Sequence, residues 1–158
     1  MTTLLLLLAA GANLPGALGE PWAVFSRAPA LRPDATKVEV GTLGYDRARK
    51  QLDFWLRRTI TGLGGTQRVT WTSTRACPAA RPVLASMRNI PVPKFAPIGS
   101  SAGPPLVLDG VGYVLSTYSD EGKLTAATNV NTPLALWIEA ALKRLDSCWS
   151  AVVPERTR

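Results

Sequence analysis

The sequence predicts an α+β domain: a small antiparallel sheet of about four strands, helices packed on one face, and one disulfide. Three observations carry that reading. Two segments repeat apolar residues at helical spacing. Short β-branched stretches alternate between apolar and polar residues, with Asp-Gly-type turns between them. Local antiparallel strands flanked by helices then favour α+β over a parallel α/β design.

The chain begins with a signal-like segment. Leu4–Ala12 is apolar but too short to span a bilayer. Pro15 and Gly16 break a helix there, and Ala17 and Gly19 fit the −3 and −1 pockets of a signal peptidase. Residues 1–19 are therefore expected to be removed between Gly19 and Glu20, although no Lys or Arg precedes the leucines. About 139 residues remain, enough for one core. Residues 20–44 read as an extended N-terminal arm rich in Pro and Ala, with a short edge strand at Lys37–Val40. Residues 45–150 read as the single domain, and 151–158 as a flexible tail.

Within the domain, Tyr45–Ile60 is expected to be an amphipathic helix. Tyr45, Ala48, Leu52, Trp55, Leu56 and Ile60 share one face, and Asp46, Arg47, Lys50, Asp53, Arg57 and Arg58 cover the other. Gly62, Gly64 and Gly65 would stop it. "TQRVTWTST" alternates as a strand, with Val69 and Trp71 on one side. A short helix follows, with Pro82 in its first turn and Val83, Leu84 and Met87 inward. "IPVPKFAPIGSSAGPP" reads as an extended crossing loop, and residues 105–130 as three short strands with turns at Asp109-Gly110 and Asp120-Glu121-Gly122. Thr132 caps a last helix and Pro133 opens it. Leu134, Trp137, Ile138, Ala141, Leu142, Leu145 and Cys148 form its inner stripe.

Chemistry-bearing residues are sparse. The chain has no histidine, which removes Ser-His-Asp and Cys-His catalysis and most zinc designs. It shows no Walker A, GxGxxG, GxSxG or EF-hand motif. No catalytic residue, metal ligand or cofactor is assigned. Asp46–Lys50, Asp53–Arg57 and Glu139–Lys143 read as exposed helix pairs four residues apart. The two cysteines, Cys77 and Cys148, allow one internal pairing in an oxidising compartment; two free, buried thiols are the alternative.

Three stretches, "CPAARPVLASMRNIPVP", "LDGVGYVLS" and "TPLALWIEAALKRLDSCW", resemble small exported bacterial proteins. Those proteins have a Cys-Pro before a helix, an Asp-Gly hairpin and a closing helix that ends in Cys. The resemblance covers roughly residues 45–149. It implies an envelope location and a disulfide, and carries over no activity and no functional residue.

Charge supplies the remaining signal. The net charge is +7, and through Lys94 there are 13 basic and 5 acidic residues, against 5 and 6 afterwards. No carboxylate occurs from Phe54 to Leu108. Arg57, Arg58, Arg68, Arg75 and Arg81 in that window are expected to form one anion-binding surface. The expected function is an exported, non-catalytic binding or inhibitor-like module of the periplasm or exterior. Its partner would be an anionic envelope component or an acidic protein. Nucleic acid is disfavoured by export and by the lack of a recognised motif. The alternative is a carboxylate-dependent envelope enzyme using Asp109 with Asp120 or Glu121.

Overall fold

A computed structural model describes residues 18–32, 34–91, 110–119, 122–129 and 131–156. Six strands form one antiparallel sheet: β1 (Ala23–Pro29), β2 (Ala35–Asp46), β3 (Gln51–Thr61), β4 (Gln67–Ser73), β5 (Val111–Ser119) and β6 (Gly122–Thr128). Their order across the sheet is β4-β3-β2-β1-β5-β6. Two helices, α1 (Ala80–Ser86) and α2 (Pro133–Leu145), complete the architecture. The α+β reading stands, with six strands in place of about four. Most of residues 1–19, the crossing loop beyond Pro91, and Asp109, Asp120 and Glu121 lie outside the described residues.

The segment expected to be an arm supplies the middle of the sheet. β1 pairs with β2 on one side and β5 on the other, with Phe25 opposite both Val38 and Leu115. Pro29 is tolerated because it is the last residue of its strand. The domain boundary drawn at residues 44 and 45 therefore falls inside β2.

The expected helix over Tyr45–Ile60 is instead the end of β2, a turn and β3. The turn has a local cause: an Asp46 carboxylate oxygen accepts the Arg49 backbone N–H at 3.1 Å, and Lys50 takes φ 51°. Beyond it, Phe54, Leu56 and Ile60 fall on one face by strand alternation, and Trp55, Arg57 and Thr59 on the other. The same apolar residues satisfy a helical stripe. Pairing with β2 along its whole length and with β4 over its second half decides for a strand. Gly62–Thr66 closes the β3–β4 hairpin, with Gly64 and Gly65 at positive φ. β4 forms as the alternation of "TQRVTWTST" predicts.

The main core lies between the sheet and the helices. Phe25, Val38, Val40, Leu56 and Leu115 pack beneath Val83, Leu84, Leu134, Ile138 and Leu145. The Thr132 hydroxyl accepts the Ala135 N–H at 3.3 Å, so the predicted cap is present. Trp137 stacks edge-on against Phe25, and its indole N–H donates to the Ser86 hydroxyl at 2.9 Å, joining α2 to α1. Cys77 and Cys148 are disulfide-bonded, which fastens the segment before α1 to the turn after α2. Beyond the bridge, Ser150 pairs with Trp71 and covers the outer edge of β4.

A smaller core occupies the other face of the sheet. Trp55, Trp71 and Leu43 are buried there with Leu18, which is only 4% exposed. The Trp55 ring lies directly on Gly41, where a Cβ atom would come within 2.2 Å of it.

The bridge closes a separation of 71 residues. Cys148→Ser is expected to lower unfolding free energy by roughly 2 to 5 kcal/mol. Urea unfolding of the oxidised wild type and the variant measures this directly. The reduced wild type should unfold like the variant.

Candidate functional site

The five predicted arginines do not converge on one surface. Arg57 and Arg58 are strand neighbours and project to opposite faces of the sheet. On the face away from the helices, Arg57 donates to Glu39 at 2.6 Å and lies 5.7 Å from the Trp71 ring centroid. Lys37 adds a second cation to Glu39 at 3.2 Å. Opposing pulls act on Glu39: burial raises its pKa, but the Arg57 hydrogen bond and the charges of Lys37 and Arg57 outweigh that and hold it below the ordinary range. On the helix face, Arg58 donates to Thr70, reaches Asp146 at 3.6 Å and lies 4.7 Å over Trp149. Burial lowers the Arg58 pKa, and the nearby Arg68 charge adds to that effect. Arg68 itself is exposed and makes no ion pair among the described residues.

Arg75 and Arg81 do meet, at a carboxylate. Both donate to Asp53, whose side chain is fully buried, and the Thr74 hydroxyl adds a third hydrogen bond at 3.0 Å. Burial alone would raise the Asp53 pKa. Hydrogen bonds from Arg75 and Thr74, with the charges of Arg75 and Arg81, override it and hold the carboxyl below its usual range. The expected exposed helix pair Asp53–Arg57 is thus replaced by a buried cluster. Asp46 likewise pairs with Arg49 rather than Lys50. Four of the five arginines thus find carboxylates in space, at Glu39, Asp53 and Asp146.

Glu139 is also engaged away from Lys143. One of its oxygens accepts from Arg27 at 2.7 Å and from the Tyr113 hydroxyl at 2.6 Å. Burial acts to raise its pKa, but those two hydrogen bonds and the Arg27 charge leave it lowered. A carboxylate so held is a poor general base near neutral pH. The same contact raises the Tyr113 pKa, after the contribution of burial. The carboxylates of the alternative enzyme reading, Asp109, Asp120 and Glu121, lie outside the described residues. No group of potential metal ligands occurs among the described residues.

No family model matches the chain. No curated protein and no solved structure matches it either.

A groove remains that the sequence did not signal. It lies at the open side of the main core, between β5–β6 and the end of α1. Trp22, Met87, Ile90, Leu115, Leu124 and Leu134 form most of its wall, around a volume of about 400 Å³. Its lining is mainly apolar. Arg88 stands exposed at the rim. The half-buried Trp22 packs edge-on against Phe54, and its indole N–H has no acceptor among the described residues. Such an unpaired donor costs about 1 to 3 kcal/mol. Reading the sequence as an arm hid Trp22, and reading helix and sheet separately hid the space between them. No helix among the described residues is long and apolar enough to cross a membrane.

The Asp53 cluster sets an acid limit on stability. Because its folded pKa is depressed, its contribution is complete above the unfolded carboxylate value near about 3.9 and is lost as pH falls through the folded value. Asp53→Asn leaves Arg75 and Arg81 facing a neutral amide, and is expected to destabilise by about 3 to 5 kcal/mol at neutral pH. It should also flatten the acid side of the stability profile. Thermal unfolding between neutral and acidic pH, for wild type and variant, checks both.

Proposed function

We propose that the protein is an exported, non-catalytic binding module, inhibitor-like in build, acting in the periplasm or outside the cell. Its partner is an anionic amphiphile of the envelope, such as an acidic lipid. The observation that carries this reading is the apolar groove with Arg88 on its rim and the unpaired Trp22 N–H in its wall. Apolar concavities with a few placed polar groups are the usual form of a ligand site. The disulfide points to an oxidising compartment and so supports export. An anionic partner also agrees with the excess of seven positive charges.

Within this reading the headgroup contacts Arg88, and the arginine window serves chiefly the fold. Arg57, Arg58, Arg75 and Arg81 already face carboxylates. Only Arg68 of the five offers an exposed charge without an ion pair among the described residues.

Vesicles containing phosphatidylglycerol should retain the protein at low salt, and vesicles of phosphatidylcholine alone should not. Retention should fall steeply with salt, since exposed charges are screened within about 10 Å at 0.1 M. Arg88→Glu and Leu124→Asp should each abolish it, while Arg68→Glu should leave it nearly unchanged. Equal partitioning of wild type and Leu124→Asp overturns the groove reading. Loss of retention in Arg68→Glu alone returns the site to the arginine window.

A further inference from the structure

The smaller core raises a question that the groove does not answer. Leu18 is buried against Leu43, Trp55 and Trp71, whereas Gly19 and Glu20 beside it are exposed. The chain is next fixed at Trp22, whose backbone N–H donates to the Val40 carbonyl at 2.9 Å. Leu18 therefore belongs to the core, yet it lies on the leader side of the expected cleavage point. Processing between Gly19 and Glu20 would remove it.

The slot it leaves is rigid. Trp55 and Trp71 stand with ring centroids 6.0 Å apart and a 57° tilt between their planes. Trp55 rests on Gly41, and no larger residue fits beneath it. Trp71 is held by backbone hydrogen bonds to Ser150 on its outer side. Arg57, fixed by Glu39, lies against the Trp71 ring. The Trp55 indole N–H is buried without an acceptor among the described residues. Close-packed interiors do not collapse freely around a lost side chain, so removing Leu18 leaves an apolar recess.

We propose that Leu18 fills this slot only in the precursor. In the processed protein, the slot takes an aliphatic side chain from an extended segment of a partner protein. The inference rests on the export reading. Hydrolysis of the Gly19–Glu20 bond by a signal peptidase uses one water, leaving a carboxylate on Gly19 and a free amine on Glu20. The leader is then a stand-in for the ligand. It shows the chemistry the slot accepts: a branched aliphatic side chain on a segment whose neighbours, Ala17 and Gly19, are small. Leu18 enters the slot from a peptide backbone whose next residues, Gly19 and Glu20, are exposed, the form in which a partner's extended segment would present its side chain.

The test uses protein recovered from the periplasm after expression with its own leader, labelled with ¹⁵N at tryptophan. Its N-terminus is sequenced first. The probe is the synthetic peptide Leu-Pro-Gly-Ala-Leu-Gly-Glu, the sequence of residues 14–20. A control peptide carries serine in place of the second leucine. The indole signals of Trp55 and Trp71 should shift saturably with the first peptide, while that of Trp137 stays in place. The control should bind roughly tenfold more weakly or worse, the expected worth of one buried leucine side chain. Processed protein whose Trp55 and Trp71 signals ignore both peptides, or respond equally to both, overturns the slot and leaves export intact. Protein that retains Met1 overturns export instead. The slot is then tested in the full chain carrying Leu18→Ser: peptide-induced shifts support it, and unmoved signals overturn it.

Discussion

The Cys77–Cys148 bridge is the constraint on which the remaining architecture depends. Among the described residues, two short helices cover one face of the sheet. α1 spans seven residues, far below the length at which an isolated helix is stable. The bridge pins the start of α1 to the end of α2, and the Trp137–Ser86 hydrogen bond ties the end of α1 to the first half of α2. The two helices thus act on the sheet as one layer. Among the described residues, the groove lies where this layer meets β5 and β6, walled by Met87, Leu115, Leu124 and Leu134.

Local signals in the sequence survive into the structure, and non-local ones do not. The Thr132 cap, Pro133 and the stripe from Leu134 to Leu145 specify α2 without help from elsewhere. β4 and α1 were legible for the same reason, and the disulfide followed from two cysteines and the compartment. β3 failed because Leu52, Trp55, Leu56 and Ile60 fit a helical stripe as well as a strand. The deciding partner, β2, was itself obscured by Gly41 and Gly44 and by the prolines before it. Gly41 is small because Trp55 lies on it, which no single-strand pattern reveals.

The charge pattern shows the same limit. A run without carboxylates suggested a free basic surface, but antiparallel pairing brings Glu39 beside Arg57, and the turn after β4 brings Arg75 onto Asp53. Asp53 stands one residue outside the window and is fully buried. Such a carboxylate needs partners, and the arginines that looked available supply them. Exposed cations remain elsewhere, such as Arg47 and Lys50 in the β2–β3 turn, and Arg88 matters because an apolar groove adjoins it.

This groove is proposed to receive the apolar part of an anionic amphiphile. Intermolecular nuclear Overhauser contacts test it most directly, using protein with labelled methyl groups and a short-chain phosphatidylglycerol as the probe. Contacts from the acyl chain to the methyl groups of Met87, Leu115 and Leu124 are expected. Acyl contacts confined to Leu43 and Val69, beside Trp55 and Trp71, or none at all while the lipid still binds, would contradict it.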